Sequence, residues 1–136
     1  RYTEAFGFGT AFEVPMTATP SSFPTGLDDA QLMLSSFGQY DVRVTPLQMA
    51  LVSAAIANGG NLMQPTLLDR IIAPDLSIVQ QPEPTLFSQP ITRVTAETMT
   101  ALMVDAVSNG VASNARIEGV DVAGKTGTAE NGGDAP

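Results

Sequence analysis

The sequence contains no cysteine, no histidine and no tryptophan. Without cysteine, the chain can form no disulfide, no thiolate metal site and no cysteine nucleophile. Without histidine, it can contain neither a Ser-His-Asp triad nor a zinc site of the usual histidine type. These absences exclude several classes of hydrolase and metalloprotein, and we predict neither a metal nor a cofactor.

Positive charge is also scarce. Lysine and arginine together number 6 against 14 aspartates and glutamates, and the net charge is −8. The arginines are scattered, and a nucleic-acid partner needs clustered basic residues, so we predict no nucleic-acid partner.

The longest apolar run, residues 50–57, is far shorter than the roughly 20 residues of a membrane span. A length of 136 residues fits one domain, and a hydrophobic content of 43% predicts that it is globular.

The clearest element is a helix over residues 45–58. Thr45 is suited to the N-cap, Pro46 to the first helical position and Gln48 to the third, which together make a capping box. The following residues are apolar nearly all round, so we expect the helix to be buried. Asn-Gly-Gly at 58–60 ends it.

The other elements are less regular. Residues 1–36 are rich in glycine, proline, threonine and serine and are predicted to be a loop-rich segment. A β-hairpin is predicted over 67–80, a loop over 81–90 and a second helix over 95–109 with Thr95 as its N-cap. The pattern therefore predicts an α/β chain of the α+β type.

The segment GVDVAGKTGTAE, Gly119–Glu130, fits the letters of a phosphate-binding P-loop. Val120 and Val122 nevertheless favour an extended strand over a tight phosphate-binding loop. The carboxylate of Asp121 would repel the phosphate, and the glycines after Lys125 leave no room for the helix that a P-loop needs. A small NTPase is therefore a remote alternative.

A strand over residues 120–130 accounts for the same segment better. It places Lys125 on one side, and Thr126 and Thr128 together on the other. Glycines such as Gly127 allow a ligand to approach the backbone closely. An ammonium group and two hydroxyls at a sheet edge suit a substrate carboxylate, and edge N–H groups can stabilise an oxyanion.

The segment Val122–Glu130 resembles the Lys-Thr-Gly strand of the class B penicillin-binding proteins, the peptidoglycan transpeptidases. FGQYDVRVTPLQMA at 37–50 and IANGG at 56–60 resemble the part that these enzymes carry between their second and third motifs. The resemblance covers 37–130 well and 1–36 loosely, and it is closest to the actinobacterial penicillin-binding protein A type.

The resemblance implies that residues 1–136 are the C-terminal portion of a transpeptidase domain. The implied fold is the penicillin-binding and serine β-lactamase-like fold, an antiparallel sheet flanked by helices, which would be incomplete in this chain. The parent protein would act at the extracytoplasmic face of the bacterial cell membrane, with its anchor outside this chain. Peptidoglycan stem peptides, β-lactam antibiotics and proteins of the division or elongation machinery would be its partners.

The resemblance also assigns roles to four residues. Lys125 would tune the electrostatics of the site and help to anchor the substrate. Thr126, Gly127 and Thr128 would bind the substrate with it, the two threonine hydroxyls holding a carboxylate. The backbone N–H of Thr128 would form half of the oxyanion hole.

Several residues depart from the family pattern. Lys125 is the only lysine and has no serine three positions before it, so the nucleophilic Ser-x-x-Lys box is absent, and no Ser-x-Asn is present either. Tyr40 stands where the family usually has glycine.

The chain opens on Arg1 without an initiator methionine, and we expect it to be part of a longer protein. Alone it is predicted to be inactive and to need the upstream part of the same domain. A non-catalytic module that binds cell-wall peptides or a partner protein is the alternative.

Overall fold

The computed structural model describes residues 1–14 and 16–127. These residues form helices and short strands in the following order: α1 (Tyr2–Ala5), β1 (Glu13–Val14), β2 (Met16–Thr17), α2 (Asp29–Ser36), α3 (Pro46–Ala57), β3 (Leu62–Met63), β4 (Ile71–Ile72), β5 (Ile78–Gln80), β6 (Leu86–Ser88), α4 (Arg93–Ser108) and a 3₁₀ turn (Ser113–Ala115). The described strands pair antiparallel in three two-stranded sheets, β1 with β2, β3 with β6 and β4 with β5.

Helix α3 begins where Thr45 and Pro46 predict it, but the predicted capping box is only half formed. The Thr45 side chain accepts a hydrogen bond from the backbone N–H of Gln48 at 3.2 Å. The Gln48 side chain donates to the carbonyl of Phe6 instead, and the Thr45 N–H donates to the Ser21 hydroxyl.

The prediction that the helix is buried rather than on the surface is wrong in the described chain, because one side of it is exposed, with Met49 at 48%. Helix α4, β3 and the N-terminal segment pack against one side of α3. Only Leu51, Ala55 and Gln48 of the helix are buried.

The N-terminal segment contains more regular structure than predicted. Helix α2 begins after Asp28, whose side chain accepts from the Gln31 N–H at 2.8 Å. The Gln31 side chain in turn accepts from the Asp28 N–H, which completes a capping box. The sequence Asp-x-x-Gln is therefore a signal for the start of a helix. The surrounding prolines and glycines favour a loop, which is why the sequence alone predicts none here.

Strand β6 corrects the predicted loop over residues 81–90. Leu62 pairs with Ser88 and Met63 with Leu86, and the Gln64 N–H donates to the carbonyl of Thr85 at 2.8 Å. Short strands are stabilised by their partner more than by their own propensity. The partner comes from a distant part of the sequence, so the local proline content was misleading.

Helix α4 begins at Arg93, earlier than the predicted Thr95. Its N-cap is Thr92, whose hydroxyl accepts from the Thr95 N–H at 3.2 Å. At the other end, the Arg116 guanidinium donates to the carbonyls of Val107 and Ser108. A cation at this position satisfies the last carbonyls and is favourable with the helix dipole.

The hairpin of β4 and β5 has shorter strands than the predicted 67–80, with Leu76 in its turn at φ 68°. The Asp75 carboxylate accepts from both the hydroxyl and the N–H of Ser77. The pKa of Asp75 is lowered, first by the Ser77 hydroxyl and then by the Ser77 N–H.

We expect Ser77→Ala to raise the pKa of Asp75 toward its ordinary value, as measured by an NMR titration of its carboxyl group. Because the folded pKa is depressed, the hydrogen bonds stabilise the hairpin at neutral pH. That stabilisation is lost as the pH falls through the folded pKa. An unchanged titration in Ser77→Ala would show that the hydroxyl has no such role.

The core forms where α3, β3 and the N-terminal segment meet. Phe12, Leu51, Ala55 and Leu62 form one buried cluster. The ring of Phe87 packs edge-on against that of Phe12, with 5.1 Å between centroids and 61° between planes. An aromatic pair of this geometry adds about 0.5–1.5 kcal/mol beyond its area burial.

Two side-chain hydrogen bonds fasten residues 5 and 6 to this core. The buried Gln48 donates from Nε2 to the carbonyl of Phe6 at 2.6 Å. The Ser88 hydroxyl donates to the carbonyl of Ala5. A buried amide left without such a partner would cost about 1–3 kcal/mol, so these contacts hold the segment in place.

Gly60 approaches a neighbouring backbone more closely than any other described glycine. It has φ 90°, and a Cβ built on it would lie 2.2 Å from the carbonyl oxygen of Ile91. Gly59 also has a positive φ, 61°, but the nearest atom to its Cβ would be the Cγ of Arg93 at 3.8 Å. Among the described glycines, only Gly60 therefore combines the left-handed backbone with a backbone contact that excludes any side chain.

We expect Gly60→Ala to lower the free energy of unfolding by about 3–5 kcal/mol, since it adds a backbone collision to the cost of a positive φ. Gly59→Ala is the matched control and is expected to cost only about 1 kcal/mol. Urea denaturation of both variants measures the difference. Equal losses in the two variants would contradict the role of the Ile91 contact.

Candidate active site

The segment 120–127 runs beside helix α4. The Gly124 N–H donates to the carbonyl of Met103 at 3.1 Å, and Ile117 and Val120 form an isolated antiparallel bridge around Gly119. The predicted strand over 120–130 is not formed across the described residues 121–127. A strand needs a neighbouring chain to complete its hydrogen bonds, and the described residues provide none here.

Lys125 and Thr126 are both exposed. The Lys125 ammonium donates to the carbonyl of Thr126 at 2.7 Å. Within the described residues no carboxylate lies within ion-pair distance of it. Its remaining donors can therefore bind an anionic ligand. Thr128 lies outside the described residues, so its role in an oxyanion hole stays a prediction.

Lys125, Thr126 and Gly127 line one side of an open cleft of about 900 Å³. The last turn of α2, the loop after it and the first turn of α3 provide the rest of its lining, which consists of Leu34, Phe37, Gly38, Gln39, Tyr40, Val44 and Met49. The cleft thus brings together two segments that the sequence separates by about 85 residues. Both segments contain residues that resemble the transpeptidase family, but no local feature of the sequence indicates that they share a cleft.

The loop after α2 presents two aromatic side chains to the cleft, Phe37 at 66% and Tyr40 at 54% exposure. Tyr40 has φ 65°, a left-handed conformation. For a residue with a Cβ this conformation costs about 1–2 kcal/mol relative to the right-handed region. A glycine would adopt it freely, which agrees with the glycine that the resemblance leads us to expect at this position.

The cleft combines a cation, hydroxyl and amide donors, and an apolar wall. Such an arrangement can hold an anionic group at Lys125 and an apolar group against the aromatic side chains. The chain supplies no nucleophilic serine box to this cleft.

In the part of the chain that the structure describes, no three acidic side chains cluster to hold a metal ion. None of the helices over those residues is long and apolar enough to cross a membrane.

Comparison with known proteins identifies the class. The penicillin-binding protein transpeptidase domain family matches residues 1–136. The chain therefore belongs to this family, within which it is similar to the PbpA type of class B penicillin-binding proteins. The predicted family and fold class are confirmed by this match.

Two curated relatives carry the same name. Peptidoglycan D,D-transpeptidase PbpA of Mycolicibacterium smegmatis is 39% identical over 132 residues, covering 96% of this chain and 27% of the relative. PbpA of Mycobacterium tuberculosis is 38% identical over 120 residues, covering 88% of this chain and 24% of the relative. The chain thus spans about a quarter of the length of these relatives.

Solved structures agree with the curated relatives. Penicillin-binding protein A from M. tuberculosis, as an imipenem acyl-enzyme complex, superposes with a TM-score of 0.85 at 36% identity. That superposition covers 96% of this chain and 30% of the other. Its penicillin G acyl-enzyme complex gives a TM-score of 0.82 at 35% identity, covering 98% of this chain and 29% of the other.

The position of Lys125 depends on the contact between Gly124 and helix α4. A Cβ built on Gly124 would lie 3.0 Å from Cγ2 of the buried Val107. At Gly127, none of the described residues would lie within 4 Å of such a Cβ. Neither glycine has a positive φ, so the two positions differ in space and not in backbone strain.

We therefore expect Gly124→Ala to lower the free energy of unfolding by about 1–3 kcal/mol through overpacking against Val107. Gly127→Ala is the control and should change stability by less than about 0.5 kcal/mol. Urea denaturation distinguishes them. A larger loss in Gly127→Ala than in Gly124→Ala would contradict the contact described here.

Proposed function

We propose that the protein carrying this chain is a peptidoglycan D,D-transpeptidase that cross-links stem peptides by acyl transfer. The observation that carries this proposal is the match of residues 1–136 to the transpeptidase domain family. The cleft beside Lys125, Thr126 and Gly127 supports it, because these residues form the segment that resembles the Lys-Thr-Gly motif.

The chemistry requires a serine from another part of the same domain. Its hydroxyl attacks a carbonyl of the donor stem, an ester forms, the terminal amine leaves with a proton, and the amino group of an acceptor stem then takes the acyl group. Lys125 would hold the substrate carboxylate together with the hydroxyls of Thr126 and Thr128. The N–H of Thr128 would stabilise the oxyanion of the tetrahedral intermediate.

Because the chain has no Ser-x-x-Lys box and the serine lies outside it, the chain is inactive alone. The upstream part of the domain would bring its serine to the cleft beside Lys125. The complete protein would act on the extracytoplasmic face of the cell membrane and bind β-lactams and proteins of the division or elongation machinery.

Covalent labelling with fluorescent penicillin tests the proposal. We expect the full-length protein to take the label and residues 1–136 alone to take none. In the full-length protein, Lys125→Ala should lower the rate of labelling by at least about tenfold, since it removes a charge-assisted contact worth roughly 1.5–3 kcal/mol. The charge-matched control is Arg70→Ala, which lies outside the cleft.

A folded full-length protein that takes no label would contradict acyl transfer. Saturable, reversible binding of stem peptides without a covalent product would instead favour a non-catalytic binding module. Equal effects of Lys125→Ala and Arg70→Ala would show that Lys125 acts only through the net charge.

A further inference from the structure

We propose that Tyr40 is a specificity-determining residue of this cleft, whose ring contacts the apolar part of an acyl donor that is anchored by its carboxylate at Lys125. The inference rests on the proposed transpeptidase function and deepens it. It identifies the preferred donor as one that carries an apolar or aromatic group in addition to its carboxylate.

The backbone of Tyr40 provides the first reason. Among the described residues other than glycine, only Tyr40 and Leu76 have a positive φ, 65° and 68°. Leu76 lies in the turn of the β4–β5 hairpin, whereas Tyr40 lines the cleft with Lys125. Because glycine would fit the turn at 40 without strain, the turn itself does not explain a tyrosine.

The surroundings of its side chain provide the second reason. Tyr40 is not part of the buried core, and its hydroxyl makes no hydrogen bond within the described residues. Phe37 and Leu34 lie in the same lining and are exposed as well. Among the described residues, neither packing nor a hydrogen bond accounts for the ring, so a ligand in the cleft can contact it.

The two sides of the cleft differ in character, which indicates the chemistry of the ligand. Lys125 is the only lysine in the chain, and the described cleft lining contains no carboxylate to neutralise it. The lining that comes from residues 34–49 is mainly apolar, with two aromatic side chains and one amide, that of Gln39. A ligand that satisfies both carries an anionic group and an apolar group on one compact framework.

Acylation kinetics of the full-length protein test this inference with two probes. Benzylpenicillin carries a carboxylate and an aromatic side chain, whereas 6-aminopenicillanic acid carries the same nucleus without that side chain. For Tyr40→Gly and Tyr40→Ala we expect the second-order rate with benzylpenicillin to fall about fivefold relative to the rate with 6-aminopenicillanic acid, the size of one aromatic contact. Tyr40→Phe should restore the preference, because it keeps the ring.

Leu76→Gly is the matched control, since it also replaces a left-handed residue by glycine but lies outside the cleft. It should leave the ratio of the two rates unchanged. Thermal melting of each variant establishes that it is folded, and Tyr40→Gly keeps the backbone conformation at no steric cost.

The outcomes separate this inference from the proposed function. If the wild-type protein is acylated by both probes but Tyr40→Ala and Tyr40→Gly slow both equally, or neither, Tyr40 does not determine specificity. Loss of melting temperature in Tyr40→Ala with an unchanged ratio of rates would assign it a structural role and overturn the inference. A wild-type protein that neither probe acylates overturns the proposed function, and this inference with it.

Discussion

The approach of Gly60 to the backbone of Ile91 determines how α3, β3 and α4 meet. A side chain at this point would force the two segments apart, because its Cβ would lie 2.2 Å from the Ile91 carbonyl oxygen. The turn at 59–60 brings β3 back along α3, and the chain at 91 leads directly into α4. Leu62 and Ala55, which flank this turn, are fully buried, and the Gly60 N–H donates to the carbonyl of Ala55 at 2.8 Å.

The candidate active site is attached to the same framework from the other end of α4. The carbonyl of Met103 accepts from the Gly124 N–H, and the guanidinium of Arg116 satisfies the carbonyls that follow Ala106 in the helix. The segment that contains Lys125 is thus held to α4 by one backbone hydrogen bond and by the Arg116 side chain, while Lys125 and Thr126 remain exposed. This is a suitable arrangement for binding, since helix α4 positions the segment and the side chains of Lys125 and Thr126 stay exposed.

The parts of the fold that sequence reasoning predicts are those with local signals. Thr45 and Pro46 specify the start of α3 through a signal that spans only residues 45–48. This signal can be read without knowing which elements pack against the helix. Strand β6 has no such signal, because its pairing with Leu62 crosses more than twenty residues. The start of α4 was misplaced since Thr92 and Thr95 are both acceptable N-caps, and only the folded chain selects one. The cleft joins Tyr40 to Lys125 through tertiary structure alone, which no spacing in the sequence indicates.

The fastening of the N-terminal residues has a consequence for the order of folding. The hydrogen bond between Ser88 and Ala5 joins positions 83 residues apart, and that between Gln48 and Phe6 joins positions 42 apart. Helices α3 and α4 can form from local contacts, whereas closing these long loops costs entropy that only the finished core repays. We therefore expect residues 1–14 to join the core last, so pulse-labelling hydrogen exchange would protect the amides of α3 before those of the chain's first residues.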